Sequence, residues 1–340
     1  MRRPSGSLGR KGVPGLEGFA RQGDMEIGMI TRSLRKAYGE ALVELGKTDE
    51  RIVVLEADLG KSTMSSLFGR AYPERYFEMG IAEQNMTSFA AGLATCGKIA
   101  FTNSFAVFSA GRAYDQIRQG ICTARLNVKI NGSSAGLSDF GDGATHQAVE
   151  DMAIMRALPN MTVLVPMDAT ETGKMVRAAA EHDGPVYIRI SRSDLPDLMP
   201  EDMEFRIGKP CVIREGRDIA VFACGGMVYK ALLAAEELEK AGISLKVINV
   251  STLKPIDEAA VKGLADGARG IVTAEEHSVI GGLTDAIAYI LRSEGLPIEP
   301  VAIMDAFGQS GHNPEELMEF YGLSQQRIIE AAKKIMKFKY

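Results

Sequence analysis

The sequence predicts an α/β protein of two domains, each a largely parallel sheet flanked by helices. From Thr31 onward, short apolar runs rich in Val and Ile alternate with segments of helical period, the pattern of parallel strands joined by crossover helices. The stretch Asp194-Leu-Pro-Asp-Leu-Met-Pro200, with two prolines and several acids, interrupts that rhythm and separates two such series. A length of 340 residues suits about two domains, each large enough to bury its own core.

In the first series, Ile52-Val-Val-Leu55, Ile99-Ala-Phe101, Val128-Lys-Ile130, Thr162-Val-Leu-Val165 and Val186-Tyr-Ile-Arg-Ile190 read as strands. Between them, residues 82–95 and 108–124 repeat apolar positions at helical spacing, and Gly97 is placed to end the first of these helices. In the second series the strands are Ile219-Ala-Val-Phe-Ala-Cys224, Leu245-Lys-Val-Ile-Asn-Val250, Gly270-Ile-Val-Thr273 and Pro300-Val-Ala-Ile-Met304, with a helix over 228–241. Gly225-Gly226 before that helix reads as a tight strand-to-helix turn or as an anion site. The organisation predicted is a disordered extension over 1–26, a first domain over 27–194, a linker over 195–207 and a second domain over 208–340. The extension holds six glycines and two prolines within its first 24 residues, and Met25 or Met29 could equally be the true start.

Composition narrows the functional class. Lys and Arg total 39 against 44 Asp and Glu, a net charge of −5 spread without long single-sign runs, so no nucleic-acid footprint or polybasic anchor is present. The four cysteines, Cys96, Cys122, Cys211 and Cys224, contain no C-x-x-C pair, which fits a reduced cytoplasm and excludes a disulfide framework. No apolar run reaches the roughly 20 residues of a membrane span.

The most informative stretch is Gly80-Ile-Ala-Glu-Gln-Asn-Met86 followed by Thr102-Asn-Ser-Phe-Ala-Val-Phe108. It sets one carboxyl at a helix start and two phenylalanines after the next strand, an acid beside an aromatic wall. A buried carboxyl in such a place can give a proton to a ring nitrogen. Thiamine diphosphate needs that partner: Glu83 would protonate its aminopyrimidine, with Phe105 and Phe108 flanking the ring. With Asp142-Gly-Ala-Thr-His-Gln147, Leu158-Pro-Asn-Met161 and Ile190-Ser-Arg192, the order of motifs resembles the pyrimidine-binding half of transketolase. Asn249-Val-Ser-Thr-Leu-Lys-Pro-Ile256 and Ala274-Glu-Glu-His277 extend the resemblance into the second domain, which in that family is mainly architectural.

The resemblance implies roles for particular residues. Glu83 would be the proton donor to the pyrimidine, and Phe105, Phe108, Asp58 and Arg112 cofactor contacts. Arg112 opens Arg112-Ala-Tyr-Asp-Gln116, a loop that deoxyxylulose-phosphate synthases also use. Asp142 and His146 would face sugar hydroxyls, His146 also assisting proton movement, while Arg32, Ser62 and Arg192 match the phosphate-recognising set. Each has a plainer alternative: Arg32 as a helix-start ion pair, Ser62 as a turn residue, Arg192 as a surface charge beside Asp194, and Asp58 as a cap for Ser62-Thr63. His182, His277 and His312 lack metal-ligand spacing. Where bacterial transketolases carry a histidine for the sugar phosphate, alignment places Gly132, in the lengthened loop Asn131-Gly-Ser-Ser-Ala-Gly-Leu-Ser-Asp-Phe-Gly-Asp142.

Gly141-Asp-Gly143 resembles the start of the magnesium and diphosphate motif of thiamine enzymes, but Asn160 lies too close to complete it. The diphosphate half is missing. The resemblance therefore implies the C-terminal subunit of a split transketolase, working in a cytoplasmic α2β2 assembly whose other subunit holds the diphosphate and Mg2+. A two-carbon ketol unit would pass from a ketose, or ketose phosphate, to an aldose. Alternatives are a deoxyxylulose-phosphate-synthase-like subunit, the β subunit of a 2-oxo acid dehydrogenase, or a non-catalytic regulatory paralogue. Intact Glu83 and His146 argue against the last.

Overall fold

The computed structural model describes residues 30–338; the proposed N-terminal extension over 1–26 lies outside them. The strands are β1 (Thr31–Ser33), β2 (Ile52–Glu56), β3 (Tyr76–Glu78), β4 (Ile99–Phe105), β5 (Val128–Ser133), β6 (Thr162–Leu164), β7 (Val186–Arg189), β8 (Asp194–Pro196), β9 (Cys211–Arg214), β10 (Ile219–Ala223), β11 (Leu245–Asn249), β12 (Thr252–Lys254), β13 (Ile271–Ser278) and β14 (Ile298–Ile303). They form a seven-stranded sheet of order β12-β6-β7-β5-β4-β2-β3, a five-stranded sheet of order β14-β13-β10-β11-β9 and a β1-β8 ribbon. The protein is thus a two-domain α/β fold. β2, β4, β5 and β7 are buried along their whole length, as parallel strands covered on both faces must be.

Helix Leu34–Thr48 shows how sequence sets packing. Ser33 caps it, its side chain accepting from Lys36 N–H at 3.4 Å, and Leu34, Tyr38, Ala41 and Leu42 form the buried stripe. Tyr38 is fully buried because its hydroxyl finds Asn103 Oδ1 on β4 at 2.6 Å.

Three expectations change. Residues 108–124 do not form one α-helix: Phe108–Arg112 and Ile117–Cys122 are π-helical turns around a short α turn, Tyr114–Gln116. Widened turns of this kind gather where side chains must be re-aimed; here Ser109 Oγ reaches Asn131 O at 3.1 Å. The expected linker begins inside a strand, since Leu195 and Pro196 belong to β8, which pairs antiparallel with β1. The second half is also not self-contained, because β12 crosses over and pairs antiparallel with β6 on the edge of the first sheet.

The two halves are joined by buried polar contacts. Arg189 Nε donates to Asp151 at 2.9 Å, and its Nη2 donates to Glu276 O at 2.9 Å on β13. His277 Nδ1 bonds Ser278 O, and its Nε2 accepts from Ala153 N–H, so burial leaves the ring neutral and pushes it down to about 4. Glu171 accepts from Met167 N–H at 2.7 Å and from Asn249 Nδ2 of β11 at 2.9 Å.

Gly132 is not a vacant histidine position. It lies within β5, between Ser104 of β4 and Arg189 of β7. A Cβ there would lie 2.1 Å from the Tyr187 hydroxyl oxygen and 2.6 Å from its Cζ. Tyr187 cannot withdraw, because it is fully buried and donates to Asp151 at 2.8 Å.

Two outcomes follow. Gly132→Ala is expected to lose about 1–3 kcal/mol in urea unfolding through overpacking, and Tyr187→Phe should recover part of that loss in the double variant, because it removes the nearest atom. Equal, additive effects would show that the contact relaxes freely. For pH, burial pushes Glu171 up to about 7 from the ordinary 4.5, its hydrogen bonds only partly opposing. A raised folded value means that this contribution is full below pH 4.5 and is lost as pH rises through 7. Relative to wild type, Glu171→Gln should therefore lose less stability between pH 4.5 and 7, read from paired melting curves.

Candidate functional site

The parallel strands β2, β4 and β5 end at one edge of the sheet, where an open α/β fold places ligands. Three chain segments meet there: the start of helix Glu83–Thr95, the π turn after β4, and the loop after β5. Glu83 occupies the first helical turn, where the helix dipole favours a carboxylate, and its side chain is only 4% exposed. Arg112 Nη1 donates to Glu83 Oε1 at 2.9 Å, and the same guanidinium lies 4.0 Å above the Phe108 ring. Phe105 and Phe108 are stacked, centroids 6.0 Å apart at 16°. The His146 ring stands edge-on to both, at 6.3 and 5.2 Å. Five of the sequence-derived residues, Glu83, Phe105, Phe108, Arg112 and His146, are therefore one contiguous cluster.

The loop carrying His146 is held from below. Thr145 Oγ1 bonds His146 Nδ1 at 2.9 Å. Gln147 Nε2 donates to Asp139 O and Gln309 O, each at 3.1 Å, and Gly311 N–H donates to Phe140 O at 2.9 Å. Glu276 accepts from Leu137 N–H at 2.7 Å. The second half of the chain thus braces the site loop through residues 309–311 and β13. Asp142 is exposed at the start of the turn Gly143–Thr145.

A second group lies around Ser62. Arg35 Nη1 donates to Ser62 O at 2.9 Å, while Arg35 Nε is buried without a hydrogen-bond partner. Burial chiefly lowers the Arg35 guanidinium, and the neighbouring charges it feels are Arg192, Asp194 and Asp139. Arg192, 41% exposed, donates to Asp139 Oδ1 at 2.8 Å. Burial raises the Asp139 carboxyl, with Arg192 opposing.

Arg32 is elsewhere. It bonds Asp197 and, at 2.5 Å, Thr170 Oγ1. Its ion-pair reading holds, and Arg35, which sequence reasoning passed over, sits beside Ser62 and Arg192 instead. The signal was present: Ser33 caps the helix, so Arg35 falls three residues before buried Tyr38 on the packed side, whereas Arg32 precedes the cap. Asp58 does not cap Ser62-Thr63. It sits at φ 62° with its N–H donating to Glu78 Oε1 at 2.9 Å, and Glu56 holds the turn by accepting from Ala57 N–H, Leu59 N–H, Thr63 Oγ1 and Ser65 Oγ. Among the described residues no cluster of three or more His, Cys, Asp or Glu side chains is placed to hold a metal, and no helix is long and apolar enough to cross a membrane.

This fold, with an acid and stacked aromatics at the strand ends, meets its match in known proteins. The family model "Transketolase, pyrimidine binding domain" covers residues 31–197, and "Transketolase, C-terminal domain" covers 208–328. The chain belongs to the transketolase family. It is 44% identical over 317 residues to a putative transketolase C-terminal section of Methanocaldococcus jannaschii, spanning 92% of this chain and 98% of that one. It is 41% identical to the 6-deoxy-6-sulfo-D-fructose transketolase subunit SqwH of a Clostridium species, again spanning 92% and 98%. Among solved structures it resembles a split-gene transketolase described as an inactive beta4 tetramer, with 47% identity, TM-score 0.82, and 92% and 100% of the two chains covered.

The Arg32 and Arg35 assignment has a direct check in the assembled enzyme. Arg35→Ala is expected to raise the KM for sugar by about tenfold or more through loss of a charged donor. Arg32→Ala should shift melting temperature with little change in KM. The reverse pattern would restore Arg32 to the site.

Proposed function

We propose that this chain is the pyrimidine-side subunit of a thiamine-diphosphate-dependent ketol transferase, active only with a partner that contributes diphosphate and Mg2+ binding. The observation that carries this reading is the buried Glu83 carboxyl beside the stacked Phe105–Phe108 pair with His146 on its edge. These residues fit the aminopyrimidine in two respects: a flat ring finds aromatic faces, and its ring nitrogen finds an acid out of water. The bound cofactor would supply an electron sink for breaking a carbon–carbon bond next to a carbonyl.

The chain's own residues then divide the remaining work. Glu83 holds or gives a proton at the pyrimidine nitrogen, and its bond to Arg112 keeps the buried carboxyl paired until a ring takes that place. Phe105 and Phe108 fix the ring plane and exclude water. His146, with Nδ1 engaged by Thr145, offers Nε2 to a substrate hydroxyl and moves its proton. Asp142 lies on the same loop, where a sugar hydroxyl would pass. Support for a partner comes from relatives of the same length described as a transketolase section, as a transketolase subunit, and as an inactive beta4 tetramer.

Complementation tests the whole reading. The chain alone is expected to bind thiamine diphosphate weakly and to transfer no ketol unit, and addition of a subunit bearing the diphosphate motif should restore both. In that complex Glu83→Gln should still assemble and bind cofactor, with turnover lower by about two decades. Tight magnesium-dependent binding by the isolated chain, or near-normal turnover of the variant, would refute it.

A further inference from the structure

The helix that carries Glu83 begins without a side-chain cap. Ala82 stands at its N-cap position with φ −145° and ψ 61°, and no side chain there accepts from the first turn. Helices Leu34–Thr48, Ala169–Glu181, Glu258–Ala265 and Pro314–Phe320 are each capped, by Ser33, Asp168, Asp257 and Asn313. The direction in which Glu83 enters the site is therefore left to the residues just before it. A carboxylate from outside the helix holds those residues: Glu78, the exposed last residue of β3.

One oxygen of that carboxylate does two things. Glu78 Oε1 accepts from Gly80 N–H at 3.0 Å, on the way to Glu83, and from Asp58 N–H at 2.9 Å, in the turn after β2. Both donors stand in the left-handed region, Asp58 at φ 62° and Gly80 at φ 67°. Glycine takes that conformation freely, but an aspartate keeps it only where its surroundings impose it. The two strands supply a matched pair of acids, because Glu78 lies opposite Glu56 in the parallel register of β3 and β2. Glu56 shapes the turn after β2 from within, accepting from Ala57 and Leu59 N–H. Glu78 links that turn to the lead-in of the next helix, where Ala82 N–H donates to Gly80 O at 2.7 Å.

Resting on the ketol-transfer reading above, we propose that Glu78 is a positioning residue for Glu83: by clamping Asp58 and Gly80 on one oxygen, it sets how helix Glu83–Thr95 presents its first carboxyl to the ring. Glu78 itself touches neither ring nor sugar and acts through the backbone. Proton transfer demands a donor and acceptor within hydrogen-bond reach and in line, so a small shift of the helix start is felt at the acid before it is felt by a bound sugar.

Two substitutions separate geometry from charge. Glu78→Ala removes the acceptor, whereas Glu78→Gln keeps an oxygen in its place without the charge. In the full chain alone, read by amide hydrogen exchange, Glu78→Ala is expected to exchange about tenfold or more faster over residues 57–62 and 79–86, with β10 unchanged and Glu78→Gln close to wild type. In the complex with the partner subunit, Glu78→Ala should lower kcat about tenfold and leave the KM for the ketose within about twofold, and Glu78→Gln should recover most of the kcat. Faster exchange throughout the chain, an unchanged kcat in Glu78→Ala, or a loss in Glu78→Gln as large as in Glu78→Ala would each overturn the proposal. A wild-type complex that transfers no ketol unit would instead sink the reading on which the catalytic part rests, and the exchange rates would still decide whether Glu78 is the clamp.

Discussion

The Arg189 guanidinium is the point on which both halves of the chain close. Removing a charge of this kind from water costs several kcal/mol unless its donors are met, and here Asp151 takes one side while Ala148 O and Glu276 O take the other. Tyr187, two residues earlier on the same strand, adds its hydroxyl to Asp151. Strand β7, the helix Asp151–Ala157 and strand β13 are thereby fixed to a common centre, and Glu276, held in that centre, turns its carboxyl to Leu137 at the base of the site loop. The loop that carries His146 is thus anchored at Leu137 to the same buried centre.

That centre also limits what the sheet can carry. Because the Tyr187 ring must lie against β5 to reach Asp151, the strand can place only a glycine at 132, and side chains that meet a ligand have to come from beyond the strand's end. His146 lies on such a loop, which is held by contacts with residues 309–311. The second half of the chain holds the site loop through that brace, although it contributes no side chain to the acid and aromatic cluster.

How much of this the sequence disclosed depends on the kind of interaction involved. Glu83, Phe105, Phe108 and His146 were legible because strand ends and helix starts are local features, and parallel strands bring such ends together without further information. Arg112 was legible only through resemblance, since its reach to Glu83 depends on the π turn Phe108–Arg112, a choice made by tertiary packing against β5 rather than by local propensity. Arg35 was missed because a neighbouring arginine, Arg32, fitted the motif; the cap at Ser33 decides between them, and a cap is visible in sequence only when the helix start is known. The capping alternative for Asp58 fell for a related reason: the turn it belongs to is held by Glu56 from inside the strand, and a strand glutamate in a run of Val and Leu gives no outward sign of capping. The crossing of β12 left no pattern at all, for three residues of edge strand are too few to show a period.

That crossing has a consequence for how the chain is made. β6 emerges from the ribosome almost ninety residues before β12, its neighbour in the finished sheet. Until then β6 presents a bare row of amides and carbonyls, the kind of edge that invites pairing with another chain. The first sheet is finished only when the second half has begun to fold, so synthesis itself passes through a state in which the newborn chain is adhesive. Crowded polysomes translating this message would bring such edges close together, and chaperones that mask exposed strands would have their greatest effect in that interval.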